Sequence, residues 1–137
     1  MVGRRLLVVD DDSAVLRLHS AILSAELPDC KIDSARNGSE GVELFKRYWH
    51  PVLVLDLHMP VMDGVRTFLE IQKLCQERQR AMPAVVFCTG FAPPVVVREV
   101  IAKDRRHCLL TKPVENAVLV GAVKERLETA GSGYPCA

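Results

Sequence analysis

The chain has 137 residues, 49% hydrophobic and 26% charged, the balance of one globular domain whose core needs no disulfide or metal staple. Eighteen basic and seventeen acidic residues leave a formal net charge of +1, which argues against both the basic face of a nucleic-acid binder and an acidic disordered tail. Cys30, Cys75, Cys88, Cys108 and Cys136 are odd in number, and no two have C-x-x-C or zinc-site spacing, so the expectation is a reduced, cytoplasmic protein with buried thiols. No signal peptide is expected, and no stretch approaches the ~20 apolar residues that span a bilayer, so no membrane association is expected either.

Short apolar runs alternate with segments of helical period. Leu6-Leu7-Val8-Val9 reads as a buried strand that stops at Asp10-Asp11-Asp12. Val15, Leu18, Ile22 and Leu23 then mark a helix ended by Pro28. Lys31 to Ala35 is a weaker strand, Asn37-Gly38 a turn, and Val42, Leu44, Phe45 and Tyr48 a second helix stopped before Pro51. Val52 to Leu55 is a third strand ending at Asp56. Met59 to Gly64 is a loop, and Val65 to Arg80 is a third helix. Ala84 to Cys88 is a fourth strand closed by Thr89-Gly90, and Pro93-Pro94 opens a fourth helix, as proline is tolerated in a first turn. Cys108 to Leu110 is a fifth strand, and Glu115 to Ala130 is the last helix. Residues 1–130 are expected to form one domain, with 131–137 a flexible tail or the start of a linker.

Five strands alternating with helices imply an α/β fold, a parallel sheet covered on both faces. In such a sheet every strand ends at the same edge, where ligand sites lie. Asp10, Asp11, Asp56, Thr89 and Lys112 all stand where an apolar run breaks, so the topology gathers them. If the first and third strands are neighbours, an order the residues alone do not fix, Asp11 and Asp56 can share one ion. Oxygen-only ligands favour a hard cation, Mg2+ or Mn2+. A carboxylate nucleophile at Asp56, with a metal and Lys112 as counter-charges, suits phosphoryl transfer to form an acyl phosphate.

Val8-Val9-Asp10-Asp11, Leu55-Asp56-Leu57-His58-Met59-Pro60 with Met62-Asp63-Gly64, Cys88-Thr89-Gly90 and Thr111-Lys112-Pro113 together resemble the receiver family of two-component signalling, from about Arg4 to Thr129. The resemblance implies a flavodoxin-like (βα)5 fold with strand order 2-1-3-4-5. It implies that Asp56 is the phosphoacceptor, Asp11 a direct metal ligand and Asp10 a ligand largely through water. By the same resemblance His58 lends its backbone carbonyl to the metal, Thr89 is the switch hydroxyl, Gly90 a modulating neighbour, and Lys112 the conserved-type lysine with a cis bond to Pro113. The implied partners are a histidine kinase or histidine phosphotransfer domain, and a downstream protein on the face of the fourth helix, fifth strand and fifth helix. A homodimer through that face is a further expectation, and the chain is expected to be no enzyme beyond its own phosphorylation and dephosphorylation.

Two positions depart from the commonest pattern. Leu109 replaces the aromatic residue whose rotamer reports phosphorylation in many members, and His58 stands at a variable position expected to tune the lifetime of the phosphorylated state. Simpler roles stand beside these. Asp12 and Ser13 are better placed than Asp10 and Asp11 as helix caps, and Asp63-Gly64 reads as turn chemistry. His19, His50 and His107 read as structural or exposed, and Tyr48-Trp49 as helix-end packing. Val95, Val96, Val97, Val100 and Ile101 make a stripe wider than one core-facing side needs, leaving an excess for a partner. Three other functions compete. A haloacid-type phosphatase needs a second Asp where His58 stands. A flavodoxin needs a phosphate loop where three acids stand. A partner-binding pseudo-receiver would have lost the acceptor or the lysine.

Overall fold

The computed structural model describes residues 4–59 and 62–130; Pro60, Val61, Cys136 and the expected 131–137 tail lie outside the described residues. Ten elements alternate: β1 (Arg4–Val9), α1 (Ser13–Glu26), β2 (Cys30–Ala35), α2 (Gly38–Tyr48), β3 (Val52–Asp56), α3 (Gly64–Glu77), β4 (Ala84–Thr89), α4 (Val95–Lys103), β5 (Cys108–Thr111) and α5 (Asn116–Ala130). The strands are parallel, in the order β2-β1-β3-β4-β5 expected from the family resemblance.

The period-2 geometry of strands divides the core in two. Leu7, Val9, Leu53, Leu55, Val85 and Phe87 face a cluster with Val42 and Phe45 of α2, Phe68 and Ile71 of α3, and Val97 of α4. Leu6, Val8, Val52, Val54, Val86 and Cys88 face the other side, with Leu16 and Leu23 of α1 and Leu119, Val123 and Leu127 of α5. All of β3 is buried, which is why its sequence reads as an unbroken apolar run.

Side-chain caps start three of the helices. Asp12, Asn37 and Asp63 accept bonds from the first-turn amides of α1, α2 and α3. Asn37-Gly38, read as a turn, is thus also a helix start. The prolines before α4 differ from expectation: Pro94 is the N-cap residue with ψ of 153°, and the helix begins only at Val95. Helix α3 stops at Glu77 rather than Arg80. Gln79 adopts φ of 53°, and the amides of Gln79 and Arg80 turn back to the carbonyls of Gln76 and Cys75 at 3.2 and 2.9 Å, a Schellman closure.

Gly64 is needed for a close approach. A Cβ there would collide with the backbone carbonyl oxygen of Asp56 and lie 2.7 Å from Leu57 Cα. Gly64→Ala is therefore expected to cost about 3 kcal/mol or more, since neither obstacle is a movable side chain. Gly121 in α5 meets nothing within 4 Å, and Gly121→Ala is expected to stabilise by roughly 0.5–1 kcal/mol. Thermal unfolding of the pair checks this; equal effects would refute the close-approach reading.

Candidate functional site

The site grows from strand register. Val9 pairs with Leu55 across the β1–β3 seam, so Asp10, one residue on, comes level with Asp56. Asp56 pairs with Cys88, and Thr89 with Thr111, placing Lys112 one residue beyond the end of β5. The Lys112 amide is held by the Thr89 carbonyl at 2.8 Å, and the Lys112–Pro113 bond is cis, as the family resemblance implies. Order 2-1-3 reverses the direction of winding between β1 and β3, whose connections leave for opposite faces of the sheet, α1 packing on one and α3 on the other, and the crevice at this switch is where sheets of this type place their ligands.

Asp10 and Asp56 are each 3% exposed, while Asp11 points to solvent. One carboxylate oxygen from each of the three lies within 4.8 Å of the others. Lys112 Nζ reaches both buried acids, at 3.1 Å to Asp10 Oδ2 and 3.2 Å to Asp56 Oδ1. The remaining partners are backbone: the Asp12 amide donates to Asp10 Oδ1 at 2.9 Å, and the His58 amide to Asp56 Oδ1 at 3.2 Å.

Burial, then the neighbouring Asp10 carboxylate, pushes the Asp56 acid up to about 6, against the pull of the His58 amide and Lys112. A carboxyl whose folded value is raised favours the fold below the unfolded value and loses that contribution as pH rises through about 6. At neutral pH Asp56 is ionised at a cost that positive charge relieves. Lys112 supplies part of it: burial lowers its ammonium, but the bonds and charges of Asp10 and Asp56 outweigh this and hold it above its ordinary value. The oxygen-only set of Asp10, Asp11 and Asp56 fits a hard divalent cation as the second source.

Thr89, 1% exposed, does not turn toward these acids. Its hydroxyl bonds both backbone groups of Phe91 at 3.1 Å and lies 3.0 Å from His58 Nε2. Gly90 is exposed, and Leu109 is half-buried against the α2–α3–α4 core. Phe91 had no signal in the sequence, since a lone aromatic in a loop carries no period. The histidines read as structural or exposed are buried: His19, His50 and His107 are 5%, 1% and 4% exposed. His50 is tied to Asp33 at 2.7 Å, and Asp33 to Arg5 at 2.8 Å, at the far end of the sheet.

The response regulator receiver domain model matches residues 6–124. The transcriptional regulatory protein GlrR of Escherichia coli is 32% identical over 90% of this chain, which spans only 26% of that relative. The chemotaxis protein CheY of Halobacterium salinarum is 26% identical over 92% of this chain and 98% of its own length. A CheY-like receiver domain protein from Methanospirillum hungatei superposes with a TM-score of 0.73 at 23% identity, covering 96% of this chain and 98% of its own. Chemotaxis protein CheY4 of Vibrio cholerae does so with a TM-score of 0.74 at 20% identity, covering 90% and 98%. The last two likenesses concern the fold. The chain spans about a quarter or less of the first curated relatives it matches, at 26% and 18% of their lengths. The chain belongs to the response regulator receiver domain family, the phosphoacceptor module of two-component signalling. Among the described residues no helix is long and apolar enough to cross a membrane.

Proposed function

We propose that Asp56 is the residue that takes the phosphoryl group, from a phosphohistidine of a histidine kinase or phosphotransfer domain. The observation that carries this is the bridge from Lys112 Nζ to the buried Asp10 and Asp56 carboxylates at the sheet edge. An ionised Asp56 oxygen attacks phosphorus, the bond from phosphorus to the donor histidine nitrogen breaks, and the nitrogen leaves with that electron pair. Asp56 becomes an acyl phosphate. Lys112, a point charge on a flexible stem, follows a phosphoryl oxygen, and the Thr89 hydroxyl donates to another. Asp10, Asp11, Asp56 and the His58 backbone carbonyl would hold Mg2+ or Mn2+, which supplies charge neutralisation at the transferring group. The chain acts on itself and turns over no separate substrate.

Residues 1–130 form the module in this reading. A cytoplasmic setting is in keeping with thiols such as Cys88, which burial pushes up to about 12 and so keeps unreactive. Output runs through the α4–β5–α5 face, to a downstream protein or a second copy. Support comes from the apolar residues left exposed there: Val95 at 57%, Val96 at 42% and Val118 at 48%.

The test is intact mass after incubation with Mg2+ and a small acyl phosphate. One added phosphoryl group is expected, absent in Asp56→Asn and absent without metal. An Asp56→Asn protein that gains the same mass would overturn the assignment.

A further inference from the structure

A threonine hydroxyl has one proton to give and two lone pairs. Thr89 uses all three away from the carboxylates. Its Oγ1 donates to the Phe91 carbonyl at 3.1 Å and accepts from the Phe91 amide at 3.1 Å. The third neighbour, His58 Nε2 at 3.0 Å, must then be the donor. The His58 and Phe91 rings meet edge to face, centroids 4.7 Å apart at 76°, and Phe91 is 71% exposed. One buried hydroxyl thus ties the residue two beyond Asp56 to the loop leading into α4.

We propose that His58 and Phe91 form a latch on Thr89 that phosphorylation of Asp56 must break, with His58 as a positioning residue. The inference rests on the phosphoacceptor reading and adds the coupling that reading lacks. A hydroxyl that gives its only proton to a phosphoryl oxygen must release the Phe91 carbonyl. The Phe91 turn then loses the carbonyl bond, one of the two that shape it, and the ring leaves His58. Leu109 has no ring to turn, so Phe91 is the aromatic reporter in this chain. The His58 backbone amide bonds Asp56 Oδ1, but neither latch side chain touches the reacting atoms; the imidazole and the Phe91 ring act through Thr89.

The experiment uses the full chain, labelled with 15N and 13C, with Mg2+ and beryllofluoride as phosphoryl mimic, alongside phosphorylation by an acyl phosphate followed by mass. His58 and Phe91 are both exposed, so substituting His58 leaves the core intact. The wild-type His58–Phe91 ring contact is expected as a nuclear Overhauser effect at rest and lost with the mimic. In His58→Ala the resting Phe91 amide should move toward its mimic-bound position, and phosphorylation should speed up about 2- to 5-fold, the effect of one part-buried hydrogen bond. His58→Gln, whose amide can stand in for Nε2–H, should return both toward wild type. A ring contact that persists in the mimic-bound protein overturns the latch while the acceptor reading stands. So does a His58→Ala protein with unchanged amide and rate. A wild-type chain that gains no phosphoryl mass overturns the acceptor reading and the latch together.

Discussion

Replacing Lys112 by Met is expected to slow phosphorylation by an acyl phosphate about 100-fold or more, the usual loss when one charge-stabilising group is removed from a reacting centre. It is also expected to cost about 2 kcal/mol of stability in chelator. Removing one partner of a fully buried ion pair costs more, but Lys112 leaves 26% of its side chain in water, so the full penalty does not apply. The origin is the pair it leaves behind. Asp10 and Asp56 are each 3% exposed, and without the ammonium two buried carboxylates face each other uncompensated. For a domain of this size the melting temperature should fall by about 8 °C. Saturating Mg2+ should recover most of that stability, because a divalent ion replaces the lost charge, but not the rate. Lys112→Arg separates the two roles further: the planar guanidinium keeps the charge but lacks the reach of a point charge on a flexible stem. It should restore stability more fully than rate. Wild-type phosphorylation by Lys112→Met would refute the role assigned to the lysine.

The second large effect concerns His107, far from the chemistry. Its Nδ1 accepts the Val85 amide at 3.0 Å, its Nε2 lies 3.5 Å from Asp104 Oδ2, and Phe68 and Phe87 enclose the ring. Burial lowers the imidazole to about 4 despite the nearby Asp104 carboxylate. A protonated ring would also have no lone pair for the Val85 amide. The folded value lies below the unfolded 6.5, so the unfolded chain binds the proton more readily. The contribution is fully present above pH 6.5 and is lost as pH falls from 6.5 to about 4. Over that window it amounts to about 3 kcal/mol, a large share of a typical domain's stability. His19 and His50, both lowered first by burial, add slopes of the same sign. Urea unfolding at pH 7.5 and 4.5 of wild type and His107→Asn isolates this one. The variant keeps an acceptor for Val85 and cannot take up a proton there. It should be less stable at neutral pH and lose distinctly less on acidification. Parallel losses in the two proteins would refute the assignment.

These effects differ in how far the sequence foretold them. Strands β1, β3 and β4 were legible because both faces of a central parallel strand are buried, so Leu6 to Val9, Val52 to Leu55 and Ala84 to Cys88 are continuous apolar runs. Strand β2 was fainter for the opposite reason. It is an edge strand, with Lys31 and Ser34 exposed and Asp33 half-buried in an ion pair with Arg5. Helix α4 was misplaced by a turn's opening because proline is compatible with both an N-cap and a first turn, and only the backbone angle at Pro94 distinguishes them.

Asp10, Asp11, Asp56, Thr89 and Lys112 could be gathered from sequence because parallel strands all end at one edge, and a polar residue that interrupts an apolar run marks that edge. What each side chain touches there was decided by the tertiary structure. Two of the acids are buried and one is in solvent because β1 ends before Asp11 and the chain turns outward toward the Asp12 cap. Thr89 is tied to His58 and Phe91 rather than to Lys112 because a short side chain reaches only the loops packed beside it. The order of polar residues along the chain determined which groups would meet. Their charge state and partners depended on burial and on distances of about 3 Å, set only when residues far apart in sequence pack together.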